Sequence, residues 1–187
     1  MIVFMMAVAF SVDIAQMHLT KTELRTATDA ASKAAAATLA ETMNRNQAIK
    51  RGRQIAAANS VNSEPLRLSR RDFNCGNASQ SKTGKFEFQQ GVRPYNTVQV
   101  TGRRTEQARS GAVPLFFGGL TGVDIFETES TAAATYIERD VVLVVDRSGS
   151  MYGSKFRDLI SAITTFTDTL EETPVEEYVG LASYAEY

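Results

Sequence analysis

One cysteine, one histidine and no excess of either charge close off most kinds of chemistry for this chain. A single Cys75 cannot form an intrachain disulfide, so no disulfide framework holds the fold, and the residue does not by itself report a redox compartment. The lone His18 sits between Met17 and Leu19 in a helical context, where we read it as a helix-surface residue and not a ligand. A serine hydrolase has little support, because "RSGSM" at 147–151 is not the G-x-S-x-G elbow and His18 is far away in sequence. Lys plus Arg total 20 against 21 Asp plus Glu, and that balance lacks the basic excess that nucleic-acid binding requires.

Long apolar sequence is also scarce. Residues 1–12, "MIVFMMAVAFSV", are uninterrupted until Asp13. As a helix they reach only ~18 Å, short of the ~30 Å hydrocarbon core of a bilayer. No positive region precedes them, and "AVA" at 7–9 comes too early for a signal-peptide cleavage site. We expect the rear half of a membrane helix here, in preference to a buried globular helix. Between Asp13 and Ser60 there is no proline and one glycine, Gly52, while Ala, Leu, Glu, Lys, Arg and Gln dominate. These are strong helix formers, so a long helix is predicted, fading over 59–63 ahead of Pro65. Leu24, Ala27, Ala31, Ala34 and Thr38 recur at helical spacing as a stripe of small residues, which predicts close packing on a partner helix or on the domain that follows.

With 43% hydrophobic and 22% charged residues, the 187-residue chain has the composition of one ordinary globular domain or two small ones. Residues 66–138 read as strands. Phe86 and Phe88 alternate with polar neighbours, as do Val98 and Val100, and "GVRPYN" between them has turn chemistry. "RDFNCGNASQSKTG" reads as a polar loop before the first strand, and Arg103, Arg104 and Arg109 as a solvated basic face. An apolar patch at 113–117 then turns through Gly118, Gly119 and Gly122 into a β-like run ending at Tyr136. "GGLTG" has neither the spacing nor the lysine of a phosphate loop, so it reads as a turn.

From Asp140 the pattern changes. "VVLVV" lacks alternation, as in a central strand covered on both faces. Phe156, Leu159, Ile163, Phe166 and Leu170 follow at helical spacing, Pro174 marks the helix end, and "EYVGLASYAEY" begins another strand. Strand, loop, helix, strand is the alternation of a doubly wound α/β sheet. The remaining length is short for such a sheet, which we expect to continue past Tyr187.

In open α/β sheets, ligands bind beyond the carboxyl ends of the strands, and Asp146 sits at that place. Ser148 and Ser150 can aim hydroxyl oxygens at the same spot, while Gly149 lets the backbone turn. One carboxylate with two hydroxyls is a hard-oxygen set suited to Mg²⁺, or to Ca²⁺ or Mn²⁺, and not to zinc or copper. A competing reading makes Asp146 the nucleophile of a haloacid-dehalogenase-like phosphotransferase. The general acid of those enzymes is usually an aspartate two positions on, where this chain has Ser148, a group that does not titrate usefully.

"DVVLVVDRSGSM" resembles the first strand and Asp-x-Ser-x-Ser metal motif of von Willebrand factor A domains, and "YVGLASY" resembles their second strand. The resemblance implies a metal ion-dependent adhesion site in which Ser148 and Ser150 hold the metal. Asp146 would lie close by or act through water, and an acidic group of the ligand would complete the shell. The pattern also draws a Thr and an Asp from later loops, expected beyond Tyr187. The amino-terminal sequence "AVAFSVDIAQMHLTKTELRTATDAASKAAAATLA" is similar to that of TadG-type proteins of Flp/Tad pilus assembly, as is "VPLFFGGLTGVDIFETESTAAAT" in the middle. Some members of that family carry a von Willebrand A domain afterwards, in the order seen here. The expected architecture is α+β overall. A membrane segment and Ala-rich helix occupy 1–63, a β-rich region 64–138, and the start of a doubly wound von Willebrand A-type α/β sheet 139–187. The expected function is non-enzymatic: a single-pass membrane protein, mostly extracytoplasmic, that binds a protein partner or pilus component through its metal.

Overall fold

The structure is a computed structural model that describes residues 1–136, 140–172 and 178–185. It divides into two compact units, Met1–Tyr136 and Ile137–Tyr187.

The first unit is a helical pair laid on an antiparallel sheet. Helix α1 (Ile2–Thr42) runs without interruption from the apolar segment through the Ala-rich stretch. It stops where Met43 adopts a left-handed conformation and returns its N–H to the Leu39 carbonyl at 2.8 Å. Asn44 then caps α2 (Arg45–Ala58), its side-chain oxygen accepting from the Asn46 and Gln47 amides at 2.9 and 3.3 Å. The single long helix expected from composition is therefore two helices. Propensity favours continuation there, but a cap residue offers the backbone amides a better local partner. A short ribbon, β1 (Ser60–Val61) with β2 (Glu64–Pro65), leads to the sheet. The sheet comprises β3 (Phe73–Gln80), β4 (Phe86–Gln90), β5 (Thr97–Arg104) and β8 (Thr128–Thr135) in the order β4-β3-β5-β8. Between β5 and β8 lies a second ribbon, β6 (Val113–Pro114) with β7 (Ile125–Phe126), which carries the short helix α3 (Gly118–Thr121).

Residues 73–80, expected to be a polar loop, form strand β3. Phe73, Cys75, Gly76 and Ala78 are its buried residues, and because they lie on both faces among Asn and Ser, no simple alternation marks the strand. Phe73 faces Val100 and Cys75 faces Val98 across the ladder. The core joins Leu24, Ala27, Ala31, Ala35 and Leu39 of α1 to Ile49 and Ala56 of α2 and to Phe73, Val98 and Val100 of the sheet. Regions 1–63 and 64–136 thus share one core. The small stripe of α1 packs on this chain's own sheet and second helix. It rotates towards Ala35 and Leu39 because Ala34 and Thr38 are only half-buried.

Small residues allow close approach. A Cβ on Gly102 of β5 would lie 2.2 Å from Thr28 Oγ1, whose hydroxyl already donates to the Leu24 carbonyl at 2.6 Å in the core. We expect Gly102→Ala to destabilise the protein by roughly 1–2 kcal/mol, overpacking outweighing the benefit of a less flexible unfolded chain. A lower urea midpoint at an unchanged slope would show it, and an unchanged midpoint would mean that α1 can move off the sheet.

Arg103 and Arg104 are not a free solvated face. Arg103 Nη1 donates to Asp72 Oδ1 at 2.7 Å, and its Nε lies 3.4 Å from Glu129 Oε2. Arg104 is 2% exposed and donates to the Gly111 and Val61 carbonyls at 3.0 and 2.6 Å. Burial holds its guanidinium below the usual arginine range, against the opposing pull of Glu64. Period-two alternation placed Arg104 on the core side, and its long fork bridges the Val61 carbonyl of β1 and the Gly111 carbonyl of the loop after β5.

The second unit comprises β9 (Val141–Asp146), the 3₁₀ turn Gly149–Met151, α4 (Ser154–Glu171) and β10 (Val179–Tyr184). β9 and β10 pair in parallel, Val141 opposite Val179 and Asp146 opposite Tyr184. This is the predicted strand–helix–strand unit. Leu159, Ile163, Phe166 and Leu170 are the half-buried stripe of α4, while Phe156 is exposed. The double-sided burial expected of β9 is not seen: Val145 is buried, but Val142 is 63% exposed, and β10 is exposed along its length. With two described strands and one helix, only one face of β9 is covered. The turn expected at Pro174 lies outside the described residues.

Candidate metal centre

The β-branched run of β9 drives an extended strand whose last residue is Asp146, and the chain then turns over Ser148 into the Gly149–Met151 turn. The Asp146 carboxylate closes that turn, its Oδ1 accepting the Ser148 amide at 2.7 Å. This is the Asx geometry of a side chain standing in for backbone. The hydrogen bonds from the Ser148 amide, the Ser148 hydroxyl and the Tyr184 hydroxyl hold the Asp146 carboxyl below the usual carboxylate range. Asp146 is therefore an anion at neutral pH.

Ser148 Oγ and Ser150 Oγ lie 3.1 Å apart. Two cis ligands of Mg²⁺, each about 2.05 Å from the ion, are about 2.9 Å apart, and Ca²⁺ at about 2.4 Å would spread them to about 3.4 Å. The observed spacing lies between these and can also be a hydrogen bond between the hydroxyls, which a cation would replace by drawing a lone pair from each. The donor set is hard throughout, so the residues fit a Mg²⁺-class ion. Asp146 Oδ1, already committed to Ser148, is suited to orienting that serine and to binding a metal-bound water. Among the described residues no group of three or more His, Cys, Asp or Glu side chains could hold a metal.

Sequence reasoning brought Asp146, Ser148 and Ser150 to one strand mouth, and the structure joins them in one hydrogen-bonded turn. It missed Tyr184 and Lys155. Tyr184 reaches Asp146 because the parallel register sets the two opposite each other, a pairing that no local pattern reveals. Lys155 Nζ donates to the Ser150 carbonyl at 3.3 Å and ties the turn to the first residues of α4. Cys75 is buried within β3, where desolvation raises its thiol above the ordinary range against the pull of Arg45.

Compared with known proteins, residues 17–135 match the family model described as Tad-like Flp pilus-assembly. The match takes in α1 from Met17, α2 and the whole four-stranded sheet. No curated protein and no solved structure matches the chain.

Proposed function

Because the chain belongs to the Tad-like Flp pilus-assembly family, we propose that it is a membrane-anchored, extracytoplasmic pilus-assembly component that grips a partner through a divalent cation at Asp146, Ser148 and Ser150. The anchor is the exposed apolar start of α1, the one described helix that by length and composition could cross a membrane. Its apolar side chains Val3, Phe4, Met5, Met6, Val8 and Phe10 are exposed, as lipid-facing residues are. The metal site follows the von Willebrand factor A pattern, and its ligand would be an acidic side chain of a protein partner or pilus component that completes the coordination shell.

One observation carries this reading: two hydroxyls 3.1 Å apart, steered by an ionised carboxylate, at the carboxyl end of a parallel strand. A phosphotransferase would need a titrating group where Ser148 stands. The site's work is therefore binding, with no bond made or broken. Calorimetric titration of the detergent-solubilised protein with Mg²⁺ or Mn²⁺ tests it. Asp146→Ala combined with Ser148→Ala should weaken the affinity at least ~10-fold. Equal affinity in the two proteins would remove the metal site.

A further inference from the structure

The segment between β6 and β7 contradicts its surroundings. Residues 115–123, "LFFGGLTGV", contain no charged residue, and Phe116, Leu120 and Val123 are 71%, 61% and 56% exposed. Clustered apolar exposure of this kind on a soluble face marks an interaction surface. The segment is also firmly held. The Phe117 amide donates to both Asp13 carboxylate oxygens at 3.1 and 3.3 Å, and Gln16 Nε2 donates to the Pro114 carbonyl at 3.0 Å. A Cβ on Gly118 would meet the Val123 carbonyl oxygen at 2.3 Å, so the tip closes tightly on itself.

The position of these tethers is what identifies the occupant. Asp13 ends the apolar run of α1, and α3 packs against this helix. Ala9, one turn nearer the apolar end on the same helix face, is buried as well. The loop therefore stands beside the helix at the level where lipid-facing side chains give way to the folded unit. On the other side of that boundary Lys21 places its ammonium 5.5 Å from the Phe126 ring centroid, a basic–aromatic pair of the kind found at headgroup depth. Asp13 is only 4% exposed, and a carboxylate at this depth is costly unless a donor meets it; the Phe117 amide is that donor.

We infer that residues 115–123 form a second membrane contact, a loop that inserts Phe116, Leu120 and Val123 into the interfacial region of the same bilayer that the start of α1 enters. The inference rests on the membrane-anchor reading of α1 and adds to it. Interfacial insertion of a few apolar side chains is favourable, and the helix beside it supplies the high local concentration that a short loop lacks alone.

Single fluorophores placed at Leu120→Cys, Met6→Cys and Thr83→Cys in a Cys75→Ala background, with the whole chain reconstituted in phosphatidylcholine–phosphatidylglycerol vesicles, test this. Thr83 lies in the exposed β3–β4 turn and serves as the water control. The Leu120 probe should be quenched by doxyl-labelled lipid and be several-fold less sensitive to iodide than the Thr83 probe. Met6 in lipid with Leu120 fully open to iodide would overturn the loop contact and leave the anchor standing. Met6 itself open to iodide would remove both. A Leu120 probe shielded from iodide and from doxyl lipid alike would mean a protein occupant, and would also overturn the inference.

Discussion

Arg104→Ala is expected to lower the unfolding free energy of the Met1–Tyr136 unit by about 3 kcal/mol, two charge-assisted hydrogen bonds being lost and the Val61 carbonyl left buried without its partner. The acceptors are the carbonyls of Val61 in β1 and of Gly111 in the loop after β5, so the guanidinium fastens both to the end of β5. Arg104→Lys should recover part of this at best, because an ammonium cannot span both carbonyls with the fixed fork that arginine provides. Urea unfolding followed by far-ultraviolet dichroism measures the difference. A loss under about 1 kcal/mol would mean that water reaches the Val61 carbonyl once the side chain is gone.

Phe73→Ala should cost about 3–5 kcal/mol, because the ring is buried where β3 meets α2 and its removal leaves a cavity that small neighbours cannot fill. The same ring determines what Gly52 can become. In a helix interior, alanine is favoured over glycine by about 0.5–1 kcal/mol. Here, however, a Cβ at Gly52 would stand 2.5 Å from Phe73 Cε1, with the Ala31 carbonyl and Ala35 Cβ both at 3.1 Å. Gly52→Ala alone is therefore expected to destabilise. In the Phe73→Ala background its worst clash is gone, and the substitution should become neutral or stabilising. A double-mutant cycle reads this coupling directly, and additive effects would show that the ring and the glycine do not contest the same space.

How much of this was legible in the sequence depended on the range of the interaction. The Ala-rich helix, the valine pairs of β5 and the strand–helix–strand unit after Asp140 are local patterns, and they appear where periodicity put them. Asp146, Ser148 and Ser150 were legible for the same reason, since five residues of chain contain the whole turn. What was hidden depended on partners distant in sequence. Phe73–Gln80 looked like a loop until Val98 and Val100 supplied the opposite side of its ladder. Arg104 looked solvated because its acceptors, Val61 and Gly111, carry no mark in their side chains. The break at Met43 was locally written in Asn44, but composition outweighed it in the reading.

Helix α1 passes from Ile2 to Thr42 with no turn, glycine or proline along it. Its exposed apolar beginning and the stretch keyed into the sheet are therefore one stiff axle, and no swivel separates them. Inserting one residue anywhere between Phe10 and Gln16 would spin the sheet by ~100° about that axle, two residues would turn it nearly to the far side, and four would bring it almost back to its starting azimuth. For the proposed anchor, the azimuth at which the folded unit faces its surroundings is thus written in the phase of a single helix.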